Sequence, residues 1–153
     1  MCNAYCPGCA RNLQGGQLID SVTPGIMEMD IWKTLISNKN MEHIESISFN
    51  GAFGDPLMHP DILEMLQHLY IVKPSVAVTI FSNGSMRKET FFTELAHKLK
   101  QFYQHDLIFS IDGLADTNHL YRRNTDFNKI INHAKTFIKA GGSLEWWMIV
   151  FEH

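Results

Sequence analysis

The chain has 153 residues, 45% of them hydrophobic and 19% charged, with a formal net charge of -3. That is enough for one domain with a real core, and it offers no broad positive field for nucleic acid or an anionic membrane surface. The longest apolar runs, such as "WWMIVF", fall far short of the roughly 20 residues of a membrane span.

Cys2, Cys6 and Cys9 are the only cysteines, in a C-x3-C-x2-C spacing. An odd number of thiols clustered at one end argues against an extracellular disulfide scaffold. With no signal peptide visible, a reducing, cytoplasmic setting is expected. Thiolates bind zinc or iron–sulfur clusters. Structural zinc would need a fourth ligand, for which the chain has 8 histidines. A four-iron cubane on three cysteines would leave one iron open to a small molecule. The segment alone allows either.

Further along, "MDIWKTLIS" (29–37) predicts a helix, and "ESISFN" (45–50) is the first strand-like run. Pro60 and Asp61 open a helix through "PDILEMLQHLY", with Ile62, Leu66, Leu69 and Tyr70 at helical spacing. "SVAVTIF" (75–81) predicts a second strand, and "RKETFFTELAHKLKQF" a helix with Phe91, Phe92, Leu95 and Leu99 inward. "DLIFSI" (106–111) predicts a third strand. A helix over "DFNKIINHAKTFIKAGG" should start at Thr125 or Asp126 and stop at Gly141. "SLEWWMIVF" (143–151) predicts the fourth strand. The second and third runs are nearly continuous in apolar residues, as in strands covered on both faces.

These strands recur at the interval of a βα unit, so a parallel α/β sheet is expected, either open or curved into a barrel. Function in such folds gathers at the carboxyl ends of the strands. Those ends read "NGAFGDPLMHPD", "SNGS", "SIDG" and "EH". Their Gly, Asn, Asp and Ser content marks a site that can share one face with the cysteine loop. "GAFGDP" is otherwise a tight turn, and Asn83-Gly84 an ordinary turn dipeptide. His68, His97 and His133 lie inside predicted helices as surface or packing residues; His59, beside the Gly-rich loop, is the better candidate. Trp146 and Trp147 face opposite ways on their strand, so one can reach the site.

The ordered set of C-x3-C-x2-C, a Gly-rich strand end, "SNG" and "SIDG" resembles the radical S-adenosylmethionine enzymes, over almost the entire chain. The resemblance implies a partial (β/α)6 TIM-like barrel. It also implies a [4Fe–4S] cluster on Cys2, Cys6 and Cys9, with S-adenosyl-L-methionine (AdoMet) on the fourth iron. Gly54 and Asp55 match the second and third positions of the family's Gly-Gly-Glu motif, where they would meet the cofactor's ammonium. Ser82, Asn83, Ser110 and Asp112 resemble positions that bind the ribose and methionyl parts. Arg122, with Arg123 as the alternative, resembles an arginine aimed at the cofactor carboxylate. The implied activity is reductive cleavage of AdoMet and hydrogen-atom abstraction from an unknown substrate, with flavodoxin or ferredoxin as electron donor. A noncatalytic zinc- or cluster-stabilised binding module is the alternative.

The chain departs from the family in places. Gly8 stands where an aromatic residue is common, and Asp55 replaces Glu. Only Met1 precedes Cys2, where the family has a first strand. Residues 1–153 are therefore expected to form one core domain lacking that strand and the last βα unit.

Overall fold

Along the second strand Val78 and Ile80 are buried while Thr79 and Phe81 are only half-buried. This alternation decides which face of the sheet receives the helices. The computed structural model describes residues 1–23 and 25–151. Among them four strands form one sheet: β1 (Ser46–Phe49), β2 (Ala77–Ser82), β3 (His105–Ser110) and β4 (Leu144–Trp147). They lie in the order β1-β2-β3-β4, and each neighbouring pair is parallel.

The intervening segments carry helices α1 (Met29–Leu35), α2 (Asn38–Met41), α3 (Ile62–Val72), α4 (Glu89–Leu99), α5 (Asn118–Tyr121) and α6 (Phe127–Lys139), with a 3-10 turn at Pro56–Met58. Helices α3, α4 and α6 pack side by side on one face. Leu66, Leu69, Phe92, Leu99 and Phe137 close there over Val78, Ile80, Leu107 and Phe109. Asp126 caps α6 by accepting from the Lys129 N–H, as its sequence position suggests. The helix then ends with the Ala140, Gly141 and Gly142 N–H groups turned back to Thr136, Ile138 and Phe137.

Three expectations need correction. Tyr70 and Phe91 only fringe the core; Tyr70 meets Phe102 edge-on at 5.6 Å, and Phe91 lies under the Arg87 guanidinium. Among the described residues the helices cover one face of the sheet, not both. The opposite face carries Thr79, Phe81, Asp106, Ile108 and Ser110 in register, a mixture of polar and apolar groups. The last strand stops at Trp147 and does not run on to 151. Beyond it the Ile149 N–H turns to the Asp112 carboxylate, 2.7 Å away, so a side chain takes the place of the ladder. The strand end "EH", Glu152 and His153, lies outside the described residues.

His133 is the packing residue its helical position suggests. It is 1% exposed and stacks on Phe92 with ring centroids 4.3 Å apart. Its Nδ1 lies 2.7 Å from the Gly84 carbonyl, which requires the proton on that nitrogen. Desolvation lowers its pKa, so the folded state favours neutral imidazole. A depressed histidine pKa contributes stability that is present above the unfolded value of about 6.5 and lost as pH falls through the folded value. Urea unfolding at stepped pH should show this decline below about pH 6.5, and His133→Gln should flatten it. An unchanged slope in the variant would refute the assignment.

Candidate metal and cofactor site

Residues 2–12 fold as a loop tied to itself by local hydrogen bonds. The Cys9 N–H donates to the Cys6 carbonyl, and the Asn12 N–H to the Cys9 carbonyl. Asn12 Nδ2 donates to the Cys6 carbonyl at 3.3 Å, and Arg11 reaches back to the carbonyls of Cys2 and Ala4. Asn3 fastens the loop to the rest of the chain, donating to Ser85 Oγ at 2.7 Å and to the Asn124 carbonyl. The three cysteines are free thiols, with Cys6 buried and the others partly so. Burial pushes the Cys2 and Cys6 thiols above their ordinary values; Arg11 opposes this at Cys2 and Arg122 at Cys6.

The loop docks on the carboxyl ends of β1 and β2. The Asp55 N–H donates to the Met1 carbonyl at 2.7 Å. Gly54 lies so close that a Cβ on it would stand 2.9 Å from that same carbonyl oxygen. The Asp55 carboxylate is buried and accepts from the Leu57 N–H (3.0 Å), the Asn83 N–H (2.8 Å) and Ser82 Oγ (2.9 Å). Asn83 then extends its Nδ2 to Asn3 Oδ1 at 3.1 Å and to Cys2 Sγ at 3.5 Å.

At the end of β3, Ser110 faces the same side as Phe81. Asp112 is 3% exposed and paired with Arg122 Nε, while Arg122 Nη1 lies 3.6 Å from Cys6 Sγ. Arg123 points elsewhere: it is exposed and donates to the Gln14 carbonyl at 3.1 Å. Of the two arginines, Arg122 is the one at the site. Trp147 shares a face with Ser110 and meets Phe81 edge-on at 5.2 Å, whereas Trp146 turns toward Phe127.

The Gly8 departure has a structural counterpart. A Cβ at Gly8 would stand 2.8 Å from Tyr121 Oη, so the space is filled by an aromatic ring from α5. Tyr121 in turn packs on Phe151 with centroids 4.6 Å apart.

Cys2, Gly51, Gly54, Asp55, Phe81, Ser82, Asn83, Ser110 and Arg122 line one recess of about 100 Å³. It admits the end of a cofactor-sized molecule, since whole-ligand sites run from about 300 Å³. Of the sequence-predicted residues, Cys2, Gly54, Asp55, Ser82, Asn83, Ser110 and Arg122 line this recess. Cys6 and Asp112 stand behind Arg122, and Cys9 is not among the lining residues. Among the described residues no three His, Cys, Asp or Glu side chains already stand in coordinating geometry. The donor set nevertheless suits a thiophilic centre: three free thiols share one loop, and N–H donors lie beside two of the sulfurs. His59 is not the extra ligand. Its Nε2 bonds the Met27 carbonyl and its Nδ1 accepts from the Asp61 N–H. Arg11, Asn3, Asn118 and Tyr121 were not singled out in the sequence. Asn118, 1% exposed, holds the Asp112 N–H on its Oδ1.

No family model matches the chain, and no curated protein does. Solved structures do. AdoMet-bound anSMEcpe, an anaerobic sulfatase-maturating enzyme, is 20% identical with a TM-score of 0.69 over 95% of this chain and 40% of its own. The same protein with AdoMet and the Cp18Cys peptide gives 19%, 0.70, 95% and 39%. Streptococcus suis SuiB bound to its precursor peptide SuiA gives 18%, 0.73, 99% and 31%. Both proteins are radical SAM enzymes. The likeness shows a shared fold, the α/β architecture of a partial TIM-like barrel. The chain spans between 31% and 40% of the length of these structures.

The Asp55 tie generates a prediction. In Asp55→Asn the amide Nδ2 would confront one of three donors, which should cost about 1–3 kcal/mol in urea unfolding. Burial also raises the Asp55 pKa, so the folded state binds its proton more tightly. The wild type should therefore lose stability as pH rises from about 3.9 through the folded value, and Asp55→Asn should not. Equal stability and equal pH slope would exclude a structural role for the carboxylate.

Proposed function

We propose that residues 1–153 belong to the core domain of a radical SAM enzyme, with Cys2, Cys6 and Cys9 holding a [4Fe–4S] cluster. The observation that carries this reading is the docking of a three-thiol loop on the carboxyl ends of parallel strands. There, Asn83 Nδ2 and Arg122 Nη1 point N–H groups at Cys2 Sγ and Cys6 Sγ. Held there, the cluster and AdoMet would supply reductive cleavage of the cofactor and hydrogen-atom abstraction from substrate.

The protein's own residues divide into two roles. Asp55 and Ser82 spend their polar atoms on each other and on backbone, so they shape the recess. Gly54, Ser110 and Arg122 line it and are the groups offered to the cofactor's methionyl end. Asn83 and Asp112 orient their neighbours: Asn83 through Cys2 and Asn3, Asp112 through Arg122. A cytoplasmic setting and a flavodoxin or ferredoxin as electron donor belong to the same proposal. Among the described residues no helix is long and apolar enough to cross a membrane.

Two measurements test the reading. After anaerobic reconstitution the protein should hold about four irons with matching acid-labile sulfide, and Cys2→Ala, Cys6→Ala or Cys9→Ala should each abolish this. Stoichiometric zinc without sulfide would favour a noncatalytic zinc-stabilised module instead. Ser110→Ala should keep its iron but weaken AdoMet binding several-fold, the effect of about 1 kcal/mol from one lost hydrogen bond. Undiminished affinity in that variant would remove Ser110 from the cofactor site.

A further inference from the structure

We infer that Arg11 is the buried countercharge of the cysteine loop, a positioning residue whose positive charge favours the reduced state of the centre held there. The inference rests on the reading of this loop as a cluster site.

Arg11 is 5% exposed. Its Nη1 donates to the Cys2 carbonyl at 2.9 Å and its Nη2 to the Ala4 carbonyl. Its Nε is buried with no partner. Among the described residues the ion pairs are Lys33 with Glu64 and Arg122 with Asp112, so no carboxylate neutralises Arg11. The ring of Tyr5, 5.8 Å from its guanidinium carbon, offers a weaker attraction. The other arginines near the site differ. Arg122 has Asp112, Arg123 is exposed, and Arg87 is only half-buried.

A guanidinium cannot shed its proton at any accessible pH, and a buried charge without a counterion is costly. Two carbonyl dipoles offset part of that cost. Arg11 lies two residues after Cys9 and is bonded to the Cys2 carbonyl, so the negative charge that appears when Cys2, Cys6 and Cys9 become thiolates around a metal centre arises on its own loop. A four-iron cubane on three thiolates is anionic, and one added electron makes it more so without breaking a bond. A fixed positive charge beneath the loop therefore stabilises the reduced form more than the oxidised one. The same fork fixes the loop's shape, because it spans the carbonyls of Cys2 and Ala4.

The test uses the wild type, Arg11→Gln and Arg11→Lys, each reconstituted anaerobically, assayed for iron and sulfide, and titrated with dithionite while EPR reads the reduced cluster. Arg11→Gln keeps a hydrogen-bond donor but loses the charge; Arg11→Lys keeps the charge but loses the fork. At a fixed potential Arg11→Gln should hold about tenfold less reduced cluster than wild type, a midpoint about 59 mV lower, while Arg11→Lys stays near wild type. Loss of the cluster in Arg11→Gln with retention in Arg11→Lys supports the same conclusion. Wild-type midpoints in both variants overturn it. So does loss of cluster in both, or in Arg11→Lys alone, since charge would then not be the quantity required. Wild-type protein that binds no iron and sulfide would instead defeat the cluster reading.

Discussion

The Asp55 carboxylate is the fixed point of this molecule's upper face. Parallel strands are joined by long crossovers, so nothing local keeps the loop after β1 in register with the turn after β2. One buried side chain does so by accepting from Leu57, Ser82 and Asn83. The consequences propagate outward. The Asp55 N–H holds the Met1 carbonyl, and Asn83, set by the same carboxylate, carries its amide to Cys2. The cysteine loop thus owes part of its position to a carboxyl group that reaches Cys2 through Asn83.

A second tie does for the far side what Asp55 does for the near side. Asp112 gathers the Arg122 guanidinium and the Ile149 N–H, and Asn118 fixes the Asp112 backbone from below. Two buried aspartates therefore bracket the recess. Their partners differ in kind, neutral donors at Asp55 and a cation at Asp112. The negative charge of Asp112 is matched on the spot, while that of Asp55 is spread over backbone and hydroxyl dipoles.

Much of this was readable from sequence because it depends on periodicity. The βα interval, the core positions Leu66, Leu69, Phe92, Leu95 and Leu99 of α3 and α4, and the polar ends of β1, β2 and β3 are local patterns that appear in the structure, whereas Tyr70 and Phe91 only fringe the core. What sequence concealed depends on which side chains meet across long separations. "SLEWWMIVF" has strand composition to its end, but Asp112 captures Ile149 and the ladder stops at Trp147. Asp55 resembles a cofactor ligand by position, and sequence could not show that its oxygens also accept from Leu57, Ser82 and Asn83. Arg11 gave no signal beyond its place two residues after Cys9, because burial without a counterion is invisible in a string of letters.

The meeting of Gly8 and Tyr121 bears on how the site is assembled. The loop lacks its own aromatic side chain beside Cys9 and borrows one from the chain's other half, against which Phe151 also packs. A peptide of the first dozen residues would own every sulfur and still miss one wall of the nest. It would also miss the amide of Asn83 and the guanidinium of Arg122. The thiols therefore meet their finished surroundings only after β2, β3 and α5 have folded. The loop is a local motif by spelling and a long-range product by construction.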